Sequence, residues 1–433
     1  MTAEIGIRFA EPPVGALRFQ PPRPVDGAGT GSFGQPPMQA AGGSEDCLTL
    51  NVWTPAAPGP HPVVVWFFGG GFESGSASPP YTDGTVLAER LGAVVVAPNY
   101  RLGAFGWLHL GGDRTNLGLQ DQVAALLWVR DNITSRGGDP ARVTVAGISS
   151  GAFCIGALLA LPSARGLFHR AILHSGSAGR VFPLATAEAI AKDLCAAAFD
   201  DLQDLDASRL QALQAGVIDQ DIGRRNLPGG RAWGVVLDGQ VLPRDPLAAV
   251  ADGVARDIDL LVCATRDEVQ LYEVLQGAAY VPASASALDA EMGGRLADYQ
   301  ARFPDDSLAR LRTRLLSEAV YRWPALQLVR AQTAASGRAW SSLLSAMPFG
   351  PAYGACHGSD VAFLFDGTQL PPPLPSISPD DWPVRDRMHA AWRGFIHDGD
   401  PGWPTYSVAG ATTYEYADGS LIEEPAASYG DAQ

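Results

Sequence analysis

The chain has 433 residues, 46% hydrophobic and 18% charged, the composition of an ordinary globular protein. At ~150 residues per domain that length allows two or three domains, or one domain built on a large sheet. Its 31 basic and 46 acidic residues leave a net charge of −15; a field of that sign repels phosphate backbones and anionic lipid, which argues against nucleic-acid and membrane-surface roles.

From the N-terminus, MTAEIGIRFAEPPVGALRF has no basic segment leading into an apolar one, so no secretory signal is expected. No later window reaches the ~18 consecutive apolar residues of a membrane span. Short apolar, β-branched runs at Leu48–Trp53, Val63–Phe68, Ala93–Ala97, Val143–Ala146, Arg170–Ser175 and Ile258–Ala264 predict buried strands. Between the third and fourth runs, Leu119, Val123, Leu126 and Leu127 fall at helical spacing, and that helix should end near the glycines of SRGGDP. Strands alternating with helices predict an α/β protein, a mostly parallel central sheet with helices on both faces. Residues 200–250 show no clear pattern. The Pro-rich stretch PPPLPSISP (371–379) reads as a loop, because structured sequence resumes after it, and one domain over 1–433 is the expectation. Five cysteines, at 47, 154, 195, 263 and 356, form neither a CxxC pair nor a dense disulfide framework, which points to a reduced, cytoplasmic protein. Every basic residue but Lys192 is an arginine, so Schiff-base chemistry would have a single amine to use.

The chemistry begins at VTVAGISSGAFCIGALLAL (143–161), which contains Gly147-Ile148-Ser149-Ser150-Gly151, a G-x-S-x-G. A β-branched strand runs into it and a small-residue helix runs out of it. That is the setting of a nucleophile elbow, where a strained turn exposes a serine Oγ and the residues two before and two after must be tiny. Gly147 and Gly151 meet that need around Ser149. Around Ser150 the same positions hold Ile148 and Ala152, so Ser149 is the candidate nucleophile. A serine hydroxyl needs a base and an oxyanion hole. The stretch VVVWFFGGGFESGS (63–76) places three glycines directly after an apolar strand, where backbone N–H groups stay open to a substrate oxygen. Gly70 and Gly71 are the candidate donors, with the Ser150 N–H as the third.

These segments resemble the type-B carboxylesterases, the group that holds bacterial p-nitrobenzyl esterases, liver carboxylesterases, cholinesterases and the non-catalytic neuroligins. The resemblance is carried by GIRFAEPPVGALRFQPP (6–22), SEDCLTLNVWTP (44–55), NYRLGAFGWL (99–108), NLGLQDQ (116–122) and GGDPARVTVAGISSGA (137–152). It continues through HRAILHSGSA (169–178), TRDE (265–268), GACHGSDVAFLF (354–365) and HDGDPGWPTY (397–406), in order along nearly the whole chain. It implies an α/β-hydrolase fold in a single domain, with the catalytic order Ser…Glu…His, no cofactor and no metal. Carried over residue by residue, the acid is Glu268, with Asp267 as the local competitor, and the base is His357. Glu268 follows the Ile258–Ala264 run, at the strand end where open α/β sheets place their sites. His61, His109, His169, His174, His389 and His397 are read as structural.

The resemblance further implies salt bridges Arg18–Glu45 and Arg101–Asp121. It implies a free Cys47, since the position of its usual disulfide partner holds Met38. The hairpin that the family carries ahead of GIRFAEPPVG is not in this sequence. Family members usually have Glu where this chain has Ile148, Ala at Ser150, and His or Tyr at Phe68. Isoleucine makes the pocket floor apolar, which implies neutral rather than cationic esters. Phe68, Phe72, Ile148 and Phe153 are the candidate lining residues. The expected activity is hydrolysis of a small-molecule carboxylic ester through an acyl-enzyme. A lactone, carbamate or amide is the alternative with the same machinery, and a neuroligin-like binding module is the alternative without chemistry. The sequence assigns no oligomeric state.

Overall fold

A computed structural model of the chain describes residues 1–79, 82–227, 229–366, 374 and 377–424. Its centre is a ten-stranded sheet. The strands are β1 (Thr2–Arg8), β2 (Thr49–Thr54), β3 (His61–Phe67), β4 (Val94–Pro98), β5 (Gly138–Ile148) and β6 (Arg170–His174), followed by β7 (Phe182–Pro183), β8 (Val236–Leu237), β9 (Asp259–Thr265), β10 (Ala339–Leu344), β11 (Thr412–Glu415) and β12 (Leu421–Glu423). The two-residue β7 and β8 pair only with each other; the others lie in the order β1-β2-β4-β3-β5-β6-β9-β10-β11-β12. Neighbours from β4 to β11 are parallel. The edges β1–β2, β2–β4 and β11–β12 are antiparallel.

The six runs predicted as strands are β2 to β6 and β9. Their interiors are almost wholly buried, as the unbroken apolar sequence required: every residue of β3 and β4 is out of solvent. The apolar run predicts β5 from Val143, but β5 begins at Gly138, through a polar Asp-Pro-Ala-Arg lead-in that hydrophobicity does not mark. The predicted helix is Leu117–Asn132, closed by a short 3₁₀ turn and by Gly137 at φ 77°. Of the stretch 371–379, residues 371–373, 375 and 376 lie outside the described residues.

Helices cover both faces. Gly84–Leu91 and Trp382–Asp398 pack together on one face, where Trp392 sits 6.2 Å from Trp66 of β3. Ser150–Leu158, Pro246–Ala251 and Trp323–Ala334 cover the other. Right-handed crossovers set the first part of this division: the chain steps one way from β3 to β4 and then back past β3 to β5, so Gly84–Leu91 and Leu117–Asn132 fall on opposite faces. The reversal also opens a crevice at the C-terminal ends of β3 and β5, the position where doubly wound sheets bind ligands. The Gly69–Gly71 run leaves β3 there, and Ser149 leaves β5 beside it.

Two buried ion pairs form as expected: Arg18 with Glu45 at 2.6 Å within the segment before β2, and Arg101 with Asp121 at 2.7 Å between the loop after β4 and the helix Leu117–Asn132. All five cysteines are unpaired, and Cys47 is buried. No helix among the described residues is long and apolar enough to cross a membrane.

Candidate active site

Ser149 follows the last residue of β5 and caps the helix Ser150–Leu158, with φ 56° and ψ −123°. A non-glycine residue at such angles is strained and persists only where its surroundings enforce it. Here the Ser149 N–H donates to the His174 carbonyl at 2.9 Å, and its own carbonyl accepts from Phe153 N–H at 2.8 Å. The flanking glycines are obligatory. A Cβ at Gly147 would lie 2.8 Å from the Phe67 carbonyl oxygen, and one at Gly151 would lie 2.2 Å from the same atom.

The glycine run turns directly against this elbow. A Cβ on Gly69 would stand 3.1 Å from the Ser149 Cβ and 3.0 Å from the Ile148 carbonyl oxygen. Gly70 and Gly71 take φ of 129° and 66°, which bare glycine adopts at little cost. The Gly70 carbonyl accepts from Glu73 and Ser74 N–H groups, which fixes the loop, while the Gly70 and Gly71 N–H groups meet no acceptor among the described residues. The Ser150 N–H, in the first turn of its helix, has no intrahelical acceptor either. The loop is held from outside by Gln39, which exchanges two hydrogen bonds with the Gly75 backbone, and by Tyr100, whose hydroxyl donates to the Phe68 carbonyl at 2.6 Å.

The structure brings Glu268 and His357 together. Glu268, fully buried three residues past β9, places Oε2 2.6 Å from His357 Nδ1, and its Oε1 accepts the Thr265 N–H at 2.8 Å. The His357 N–H donates to the Glu268 carbonyl at 3.0 Å, so the two loops are joined by backbone as well. Asp267 turns elsewhere: its carboxylate meets Arg310 at 2.9 Å, Arg266 at 3.0 Å and the Ala355 N–H at 3.2 Å. It braces the histidine loop without touching the imidazole. The Tyr321 ring lies 5.0 Å from the His357 ring and 6.1 Å from Phe153, which joins the histidine loop to the helix that follows Ser149. Tyr321 comes from a π-helical turn, Ser317–Arg322, whose Ser317 hydroxyl accepts the Val269 N–H at 3.0 Å. No hydrogen bond joins Ser149 Oγ to His357 among the described residues; such bonds often tighten only around substrate.

Of the candidate lining residues, Ile148 lies under the Gly69 turn. Phe68 stacks on Tyr100 at 4.3 Å and packs beneath the loop. Phe72 and Phe153 share a feature that no sequence pattern flagged: the Arg180 guanidinium lies 5.4 Å from the centroid of each ring. A second unflagged feature sits behind Ser149. His174, fully buried, pairs its Nδ1 with Asp360 at 2.6 Å and accepts the Trp392 indole N–H at 3.2 Å. Burial pushes the Asp360 pKa up, but its contacts with His174 outweigh it and the net direction is down. Cys263 approaches the same pair, yet burial holds its thiol protonated and both imidazole nitrogens are taken, so the cluster offers a metal no free ligand set.

The strand order, the reversal at β3 and a strained serine leaving β5 define an α/β-hydrolase with a nucleophile elbow. The chain belongs to the carboxylesterase family, whose model matches residues 5–418. It is 33% identical to the para-nitrobenzyl esterase of Bacillus subtilis (strain 168), over 93% of this chain and 88% of that protein. It is equally similar, at 33%, to the fumonisin B1 esterase of Sphingopyxis macrogoltabida, over 94% of this chain and 82% of that one. The crystal structure of a Geobacillus stearothermophilus carboxylesterase at pH 6.2 superposes with a TM-score of 0.86 at 32% identity, covering 98% of this chain and 94% of that one. The chain is a serine hydrolase of small-molecule carboxylic esters.

Proposed function

We propose that ester hydrolysis runs through an acyl-enzyme on Ser149. The observation that carries this is the Ser149 backbone at φ 56° and ψ −123°, a strain that packing alone does not require. His357 takes the Ser149 proton as the oxygen attacks the ester carbonyl, and the resulting oxyanion accepts the Gly70, Gly71 and Ser150 N–H groups. The imidazolium then gives its proton to the departing alkoxide. Water repeats the sequence on the acyl group, releasing the acid and restoring the serine hydroxyl. Glu268 holds the proton on His357 Nδ1, leaving Nε2 as the base, and stabilises the imidazolium. Neutral esters are favoured over cationic ones, supported by apolar Ile148 beneath the nucleophile. One domain over the whole chain is part of the reading, supported by one large core cluster whose members come from as far apart as Ile7 and Tyr416. A reduced, cytoplasmic setting is supported by five unpaired thiols.

A fluorophosphonate probe followed by peptide mapping tests the nucleophile. The expected result is one adduct, on the peptide spanning 143–155 and lost in Ser149→Ala. No adduct on folded protein, or an adduct elsewhere, refutes it.

A further inference from the structure

Arg180 occupies the segment between β6 and β7, half-buried, with its guanidinium set between two phenyl rings of the site. One ring belongs to Phe72, the residue after Gly71. The other belongs to Phe153, one helical turn past Ser149. From helix rise and side-chain reach, the guanidinium stands on the order of 10 Å from the nucleophile. Among the described residues no carboxylate comes within ion-pair distance of it, and its Nε, out of contact with solvent, has no hydrogen-bond partner.

Every nearby acid is otherwise committed. Glu73 is paired with Arg225. Glu318 accepts from the Tyr299 hydroxyl and lies 4.0 Å from Arg302, and Glu291 meets Arg312 at 2.9 Å. Burial raises the phenol pKa values of Tyr321 and Tyr272, so neither supplies a counter-anion. Arg180 also lines a cavity of about 920 Å³, together with Arg225, Glu291, Arg295, Glu318 and Trp323. The guanidinium has five donors, keeps its charge at any physiological pH, and matches a carboxylate in a two-pronged geometry. Withdrawing it from water without a partner is costly, and a bound anion removes that cost.

We propose that this cavity, which borders the site at Arg180 and does not itself include Ser149 or His357 in its lining, receives the carboxylate-bearing end of an ester, acyl or alcohol, and that Arg180 anchors that carboxylate while the ester carbonyl reaches Ser149. The proposal rests on the esterase reading and extends its preference against cations to a preference for anions. The chain's net charge of −15 opposes such a substrate at long range, but ionic screening confines that field to about 8 Å at physiological salt, whereas Arg180 acts at contact. Arg180 is a recognition residue: it makes no bond to the reacting atoms.

Two ester pairs test it, one for each end: mono-4-nitrophenyl glutarate against 4-nitrophenyl butyrate, and 4-carboxyphenyl butyrate against 4-acetylphenyl butyrate. In one pair or the other, the charged ester's kcat/KM relative to its neutral partner should fall at least tenfold in R180M, mostly through KM, and be partly retained in R180K. R180Q serves as a second neutral variant, and thermal melting verifies that each is folded. Calorimetric binding of glutarate to the Ser149→Ala protein gives a readout free of turnover; binding should be measurable and at least tenfold weaker when R180M is added. Were the esterase reading wrong, neither ester would turn over, yet glutarate binding would still depend on Arg180. Unchanged ratios in both pairs, or glutarate binding that is absent or indifferent to R180M, overturn the proposal.

Discussion

Replacing Glu268 by glutamine tests the acid of the proposed triad with little change of shape. One carboxylate oxygen accepts the Thr265 N–H at 2.8 Å and the other meets His357 Nδ1 at 2.6 Å. A glutamine amide has only one acceptor oxygen. Because the buried Thr265 N–H needs it, the amide NH₂ is turned toward His357. Nδ1 must then accept, which moves the imidazole proton to Nε2 and leaves no lone pair facing the Ser149 hydroxyl. Loss of the correct tautomer in a Ser-His-acid site lowers kcat about 10⁴-fold, or about 5 kcal/mol of transition-state stabilisation. Asp267→Asn provides the contrast. It weakens pairs with Arg266 and Arg310, whose side chains are 44% and 27% exposed, while an asparagine oxygen still accepts the Ala355 N–H. The Asp267 carboxylate is itself only 6% exposed, so the loss falls on folding stability, while the imidazole that it does not touch keeps Glu268, and kcat per folded active site should stay within about tenfold of the parent value. The assay is 4-nitrophenyl butyrate hydrolysis at saturation, with active sites counted by fluorophosphonate labelling and folding verified by melting temperature. If E268Q keeps more than a tenth of the parent kcat, or D267N loses as much as E268Q, the acid has been misassigned.

Ser149→Ala should abolish turnover while Ser150→Ala keeps substantial activity, because alanine retains the Ser150 N–H; a dead Ser150→Ala with an active Ser149→Ala would put the elbow out of register. His357→Ala should be at least as damaging as E268Q, and combining it with Ser149→Ala should cost little more, since these groups act as one unit; additive losses in the double variant would break the triad. Gly151→Ala should fail to fold or melt far below the parent, since its Cβ would sit 2.2 Å from the Phe67 carbonyl oxygen. Gly71→Ala meets no atom within 4 Å and carries only the left-handed backbone cost of about 1–2 kcal/mol; equal melting temperatures for the two variants would contradict the packing argument. Butyrylthiocholine should be a poorer substrate than a neutral butyrate ester. A second cation about 8 Å from Arg180 at an effective dielectric of ~20 is repelled by about 2 kcal/mol, roughly thirtyfold in kcat/KM; comparable values for the two esters would show that some other group neutralises Arg180.

Local sequence carried the site further than it carried the sheet. Ser149 was readable because an elbow imposes requirements within five residues: glycine two before and two after, a β-branched strand in, a small-residue helix out. The clashes that a Cβ would meet at Gly147 and Gly151 are those requirements in ångströms. The strands β3 and β4 were readable because burial on both faces leaves nothing but apolar side chains. The edge strands β1 and β12, and β11 beside the latter, are not, since they are partly exposed and their short mixed sequences, such as Leu421–Glu423, resemble loops; nor is β10, wholly buried but with Ser341 and Ser342 interrupting its apolar run. Glu268 and His357, 89 residues apart, could be joined only through the family resemblance, because their contact depends on where β9 ends and how the loop before Ser359–Leu364 returns. Neither periodicity nor motif marks Arg180. In the sequence it is one arginine among many; what sets it apart is a negative fact of three-dimensional packing, that every acid folded near it already has another partner. Charge compensation is settled between elements distant in the chain, so an uncompensated group becomes visible only once those elements are assembled. The same logic separates Asp267 from Glu268: adjacent and chemically alike, both reach the loop that carries His357, but Asp267 meets Arg310 and the Ala355 N–H while Glu268 meets the imidazole.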